Sequence, residues 1–347
     1  MFEFTLLGPG YGECVVIHYG EDEWIIVDSC INEAGEPAAL HYLKGLGVDV
    51  ATAVRLIAVT HWHDDHIRGV SQLVQACPRA DVACPAAFRR HEFLTLVAAY
   101  ADGAMMLQTG VREMAEMLAL LNKRGTQVRL ALENTLLLRR NGFELYALSP
   151  SGASTIAAMR HVSAQMPQAM QSKVTVAEPT PNHLSVALLA TYADCAILLG
   201  GDVLQFNDRN RGWLRIVDLC ADSNHPKSDI VKIPHHGSPG ADSQEMWNHL
   251  LSPRPIAALT PFCRGRVLLP EQADEARISG RTRAAYITAR PHRSRPARRS
   301  SAVEKTVAGV LRNRRLRTPR FGRVTLRSYC RHPVNWTVEL FGAACRT

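Results

Sequence analysis

Thr60-His61-Trp62-His63-Asp64-Asp65-His66 follows directly on the apolar run Leu56-Ile57-Ala58-Val59. Imidazoles and carboxylates crowded at the end of a strand-like run are hard to explain as packing, because uncompensated buried polar groups cost stability. They are natural metal donors, since neutral imidazole and carboxylate suit zinc and similar borderline ions.

The 347 residues around this stretch suffice for one large or two modest domains with a full core. No apolar run approaches the roughly 20 residues that span a bilayer, so no membrane partner is expected. The N-terminus, Met1-Phe2-Glu3-Phe4-Thr5-Leu6-Leu7, reads as a strand and not as a signal peptide. The nine cysteines are scattered, odd in number and never spaced C-x-x-C. That pattern argues against a disulfide framework or a cysteine zinc site and for a reducing compartment, with the cytoplasm as the expected location. The net charge of +8 is uneven: Arg264 to Arg331 holds 19 Lys/Arg against 4 Asp/Glu. Such asymmetry suits an anionic partner, nucleic acid or another polyanion, and equally a solvated arginine-rich face.

Residues 2–7, 14–19 and 24–28 read as strands joined by turns, 36–46 as a helix, and 55–60 as the strand before the histidine cluster. Ile67 to Ala76 has helical spacing, and 82–85 is a short strand. Two helices are expected at 87–100 and 104–123, the second with a Met/Leu packing face. Strands are expected at 127–138 and 143–148, and a helical patch at 153–171. Further strands follow at 185–192, 195–200, 230–234 and 256–260. The tail offers an arginine run at 290–299, a helix at 302–314 and closing strands near 323–329 and 335–341. This is a mixed α/β chain.

Four features recur in order: His61-x-His63-x-Asp65-His66; Asn182-His183-Leu184-Ser185; the apolar strand Ala196-Ile197-Leu198-Leu199-Gly200-Gly201-Asp202; and Ile230-Val231-Lys232-Ile233-Pro234-His235-His236-Gly237-Ser238. Donors placed where strands end can meet at one sheet edge. His61 and His63, two apart, can converge on one ion. Asp65 and His66, shifted along the loop, would serve a second. Asp202 can bridge the two, and one histidine of the His235-His236 pair closes the second site.

This set resembles the metallo-β-lactamase superfamily of metallohydrolases, whose signature is H-x-H-x-D-H. The G-G-D and P-H-H-G-S stretches resemble the branch of competence (DNA-uptake) proteins and phosphorylcholine esterases. The resemblance covers residues 2 to about 262. It implies an α/β (α+β) fold, a four-layer αββα sandwich. The core is 1–263 with a mostly helical insertion at about 86–180, and an Arg-rich extension at 264–347 returns to the sheet. It implies two divalent ions, zinc by default with manganese or iron as alternatives. Their ligands would be His61, His63, Asp65, His66, Asp202 and His236, with Asp65 orienting a metal-bridging hydroxide and His235 catalytic beside the substrate. The adjacent histidines leave open which takes which place. Two readings of His183 also stay open: a third histidine for the first ion, or a loop histidine bonded locally. Asp28, at the family's I-D-x-G position, would orient a ligand, with Asn182, Ser185 and Ser238 as further supports. Ser29-Cys30 after that acid, and Gly10-Tyr11-Gly12-Glu13 in place of G-Q-G-D, depart from the pattern.

The leading expectation is a metal-dependent hydrolase of phosphodiesters, a nuclease among them, since arginine forks bind phosphate and basic stripes bind polyanions. Aromatic residues are few in the tail, so base stacking is not evident. A small phosphoester, cyclic nucleotide, lactone or thioester is the alternative substrate, and a metal-stabilised binding subunit is the non-catalytic alternative. No G-x-S-x-G supports serine chemistry, and without an export signal β-lactam hydrolysis is not expected.

Overall fold

A computed structural model describes residues 1–8, 11–86, 109–165, 181–291, 321–331 and 334–347. Strands β1 (Phe2–Gly8), β2 (Cys14–His18), β3 (Trp24–Val27), β4 (Val54–Ala58), β5 (Asp81–Pro85) and β6 (Arg129–Ala131) join β16 (Gly322–Ser328) and β17 (Thr337–Gly342) in one sheet, in the order β17-β16-β1-β2-β3-β4-β5-β6. Strands β7 (Thr135–Arg140), β8 (Phe143–Ala147), β9 (Leu188–Tyr192), β10 (Cys195–Leu199), β11 (Ser228–Lys232), β12 (Leu251–Leu259), β15 (Ala284–Ile287) and β18 (Cys345–Arg346) build the second, in the order β18-β15-β12-β11-β10-β9-β8-β7.

The strands are apolar on both faces because each sheet is covered twice. Side chains alternate across a strand, so Phe2, Phe4 and Leu6 of β1 enter the layer between the sheets, with Ile25 and Val27 of β3 and Ile197 and Leu199 of β10. Trp24 and Ile26 face outward instead, under helices α1 (Ala38–Gly45), α4 (Val70–Ala76) and α5 (Thr109–Lys123). On the other side Leu198, Val231 and Ala257 lie beneath α7 (Gly212–Asp222) and α8 (Gln272–Arg281). The result is the expected four-layer αββα sandwich. Met114, Met117 and Leu121 of α5 are buried, so the Met/Leu stripe is a packing face.

Parallel pairing decides where chemistry can sit. β3, β4 and β5 run parallel in one sheet, and β10, β11, β12 and β15 in the other. Their C-terminal ends meet along one edge, where Val186 N–H donates to the Thr60 carbonyl at 3.1 Å and ties the sheets together.

Several expectations need correction. The helix expected at 67–76 begins only at Val70, as α4, after the short α3 (Asp64–Ile67); between them stands Gly69, whose φ is +80° and whose Cβ position would press on Ile31 and Pro37 at 3.2 Å. Within 86–180 the described residues hold α5 and α6 (Gly152–Gln165), together with β6, β7 and β8 near the strands expected at 127–138 and 143–148, and these strands extend both sheets. β15, which was not expected, and β16, near the closing strand expected at 323–329, are interior strands of the two sheets. Cys195 and Cys330 form a disulfide, against the expectation that the thiols stay reduced. They are 135 residues apart, and only the stacking of the sheets brings them together. The helices expected at 87–100 and 302–314 and most of the arginine run at 290–299 lie outside the described residues. Among the described residues no helix is long and apolar enough to cross a membrane.

Candidate metal centre

β4 ends at Ala58 and the chain stays extended to His63, so its donors stand on a loop at the shared edge. Asp28, one residue past β3, organises this loop. Its Oδ1 accepts the Thr60 N–H and its Oδ2 accepts the Thr60 hydroxyl, each at 2.7 Å. With the hydroxyl proton committed there, Thr60 Oγ1 accepts from His61 Nδ1 at 3.0 Å. The network thereby assigns the tautomer in which His61 Nε2 carries a lone pair. That atom faces His63 Nδ1 at 3.1 Å and Asp202 Oδ2 at 3.5 Å.

The same logic repeats for the other buried rings. His66 Nδ1 donates to Asp28 Oδ2 at 2.8 Å, and its Nε2 faces Asp202 Oδ1 at 3.4 Å and Asp65 Oδ2 at 3.7 Å. His236 Nδ1 meets Thr260 Oγ1 at 3.0 Å and its Nε2 meets Asp65 Oδ2 at 3.0 Å. His235 and His236 reach inward because both adopt left-handed backbone, φ +46° and +54°, straight after β11. His235 Nε2 lies 3.8 Å from Asp202 Oδ2, the oxygen that His61 also faces.

Behind the rings Glu13 forms a hub. It pairs with the buried Lys232, accepts the Thr260 hydroxyl at 2.7 Å, and lies 3.6 Å from Nδ1 of both His66 and His236. Glu13, His66 and His236 also converge closely enough to hold an ion. There, however, the histidines present the Nδ1 atoms already engaged by Asp28 and Thr260, so Glu13 is an orienting carboxylate of the kind that sets ligand rings.

The electrostatics favour a cation. Glu13, Asp28, Asp65 and Asp202 are all buried, with Lys232 the buried cation among them. Burial opposes charge on His66, yet Asp202, then Glu13, Asp65 and Asp28, outweigh it and push the imidazole well above its ordinary range. His236 moves up likewise, its burial overcome by the hydrogen bond to Asp65 and the charge of Glu13. Burial would raise the Asp65 and Asp202 carboxyls, but the nearby histidines hold both below the usual range. Burial, with His61 beside it, lowers His63 to about 3, leaving it a neutral donor. His66 Nε2 and Asp202 Oδ1 are buried with no hydrogen-bond partner, though they face one another. Such groups are costly unless an ion or a water satisfies them, and an imidazole nitrogen opposite a carboxylate oxygen, once its proton is displaced, fits a divalent metal.

The other expected site residues are placed as follows. Asn182 Nδ2 lies 3.3 Å from His235 Nε2. The Ser185 hydroxyl accepts the Asp202 N–H at 2.8 Å and so fixes the acid's backbone. Ser238 enters through its main chain, donating to the His235 carbonyl at 2.9 Å. His183 sits edge-on to Phe206 with ring centres 5.2 Å apart, and its Nδ1 faces Arg211 Nη2 at 3.5 Å.

Glu13, Thr60, Lys232 and Thr260 were not expected. One signal was visible: Lys232 interrupts an otherwise apolar strand run, where an unpaired charge would be untenable. The hairpin of β13 (Phe262–Arg264) and β14 (Val267–Leu269) was also missed. It sets Phe262 5.3 Å from the His236 ring and 5.5 Å from Tyr11, while Arg264 Nη1 donates to the Tyr11 hydroxyl at 3.1 Å.

The profile of the Metallo-beta-lactamase superfamily matches residues 7–103. No curated protein matches the chain. Among solved structures, the metallo-beta-lactamase fold protein YhfI from Bacillus subtilis is similar over 83% of this chain and 95% of its own, at 11% identity and a TM-score of 0.43. A metallo-beta-lactamase HARLDQ motif mutant from Cronobacter sakazakii is similar over 65% of this chain and 74% of its own, at 19% identity and a TM-score of 0.37. The matched segment contains Asp28 and the whole His61–His66 loop, and that match, together with the four-layer sandwich, supports membership of the metallo-beta-lactamase superfamily.

Proposed function

We propose that the protein is a dinuclear metal-dependent hydrolase of phosphoester bonds, with phosphodiesters, those of nucleic acid included, as the foremost substrate class. The observation that carries the metal reading is the buried convergence of His66 Nε2 and Asp202 Oδ1, 3.4 Å apart and, among the described residues, neither of them in a hydrogen bond. His61 Nε2, His63 Nδ1, His235 Nε2 and Asp202 Oδ2 would hold one ion. Asp65, His66 Nε2, His236 Nε2 and Asp202 Oδ1 would hold the other. On this reading His235 completes the first set, because its Nε2 lies 3.8 Å from Asp202 Oδ2, the oxygen that His61 also faces. When bound, two such ions supply Lewis acidity and lower the pKa of water to near neutrality.

The chain's own groups do the rest. Thr60, Asp28 and Thr260 hold three imidazoles in the tautomer that turns Nε2 inward. Asp65 presents a carboxylate that stays ionised, suited to orienting the attacking water. His235, its side chain 27% exposed, completes the first set from the cleft side. Tyr11 and Phe262 stand beside His236, with Phe262 5.3 Å from its ring and 5.5 Å from Tyr11.

Support for phosphoesters comes from the Pro234-His235-His236-Gly237-Ser238 stretch and from Arg264, exposed at the mouth. Arg277, Arg281, Arg290, Arg323 and Arg327 are tied in ion pairs with acids, and Arg264 itself lies 3.8 Å from Asp64 Oδ2, with its side chain 64% exposed. The charge argument therefore rests on arginines beside the site. Zinc- or manganese-loaded protein should cleave at least one of single- or double-stranded DNA, RNA and bis(p-nitrophenyl) phosphate, and D202A should not. If the loaded protein cuts none of them, the phosphoester reading fails.

A further inference from the structure

The loop between Asp202 and α7 carries an arginine whose surroundings make no structural sense without an anion. Arg211 lies with its guanidinium 4.3 Å over the Phe206 ring. Among the described residues its buried Nε has no hydrogen-bond partner, and its Nη2 lies 3.5 Å from His183 Nδ1. Among the described residues no carboxylate pairs with it. Its neighbours differ: Arg209 pairs with Asp218 and Arg215 with Glu133, each at 2.6 Å. A stacked guanidinium with a buried donor left open is preorganised for a planar or tetrahedral oxyanion.

The loop holds this arginine in place. Arg211 N–H donates to the Asp208 carbonyl at 3.0 Å. Gly212 follows at φ +57°, and a Cβ there would strike the Leu204 carbonyl at 2.2 Å and the Phe206 ring at 2.7 Å. Only glycine permits so close a closure, which seats Phe206 beneath the guanidinium. The subsite adjoins the metal centre through His183, whose neighbour Asn182 lies 3.3 Å from His235 Nε2, itself 3.8 Å from Asp202. Asn182 Oδ1 and His235 Nδ1 are likewise buried without partners.

We infer that Arg211, backed by Phe206 and flanked by His183 and Asn182, is a recognition subsite for a phosphoryl oxyanion of the substrate, an inference that rests on the phosphoester reading above. The test uses the metal-loaded full chain, R211Q and R211K. Inorganic phosphate is titrated calorimetrically, and kcat and KM are measured for bis(p-nitrophenyl) phosphate. Loss of a charge-assisted fork should weaken phosphate binding and raise KM by about tenfold in R211Q, with kcat changed less than about threefold. Metal content should be unchanged, and R211K should recover only part of the loss because it lacks the planar fork. A purely structural Arg211 would lower the melting temperature and leave KM and phosphate affinity alone, which overturns the subsite. If the wild type cleaves no diester but R211Q still loses phosphate affinity, the subsite stands and the phosphoester reading falls. If the wild type cleaves diesters and R211Q alters neither constant, the subsite falls and the reading stands. Equal dependence of acetate binding on Arg211 would overturn the phosphoryl assignment in favour of carboxylates.

Discussion

β3 has a buried acid at each end, and the two are treated in opposite ways. Glu23, just before the strand, accepts from Arg55 Nε at 2.7 Å, from Arg140 Nη2 at 2.7 Å and from Asn141 Nδ2 at 3.1 Å. Those arginines come from β4 and β7, so the cluster ties one sheet to the other and its charge is closed. Asp28, just after the strand, belongs with Glu13, Asp65 and Asp202, and the imidazoles among them turn their inner nitrogens toward carboxylates. Paired charge of the first kind fastens a fold. Charge left open at a buried edge is tolerable only if something outside the chain completes it.

The largest effect should come from Asp202, the acid that faces both histidine sets. D202A should reduce metal affinity by more than the ~100-fold that loss of an outer-shell partner costs. Elemental analysis after dialysis checks this, and two retained equivalents would break the contrast between the ends. Lys232 comes next. K232M leaves Glu13 buried without its partner behind His66 and His236, and should cost about 3–5 kcal/mol in a denaturant melt of loaded protein. A loss below about 1 kcal/mol would mean that the metal-side charge is closed without this lysine.

Much of this arrangement was legible in the sequence. Strand-end donors are visible because each follows an apolar run, as at Val59, Leu199 and Ile233. Asp28 was legible for the same reason. What stayed hidden depends on contacts between distant segments. Glu13, just before β2, and Lys232 of β11 are 219 positions apart along the chain and pair only because the two sheets face one another. His183 could not be placed because its partners, Phe206 and Arg211, come from a loop with no periodic pattern. α8 could have been found: Glu271 and Asp274 form a capping box ahead of its apolar spacing. The Cys195–Cys330 bridge was not legible, since spacing carries no information across stacked sheets.

That bridge lies at the Glu23 end of the sandwich and tests whether the two ends are independent. Reduction should lower stability by about 2–4 kcal/mol, because the loop it closes is long. Metal content should not change. Loss of metal on reduction, measured in the same sample, would show that the ends are coupled.

The smallest effect, and the sharpest in sign, belongs to Glu23. Hydrogen bonds from Arg140 hold its carboxyl below the ordinary value of 4.5, against the opposing pull of burial. Its partners are part-exposed, Arg55 by 31% and Arg140 by 45%, so solvent screens the pairs and E23Q should cost about 1–2 kcal/mol at neutral pH. A carboxyl whose folded pKa is depressed contributes fully above its unfolded value and loses that contribution as pH falls through the folded one. The gap between wild type and E23Q should therefore stay constant from neutrality down to about pH 5 and close below 4.5. Acid also protonates metal ligands, but it does so in both proteins, so the difference between their denaturant midpoints isolates Glu23. A gap that widened on acidification would mean that the structural end, too, carries charge its partners do not close.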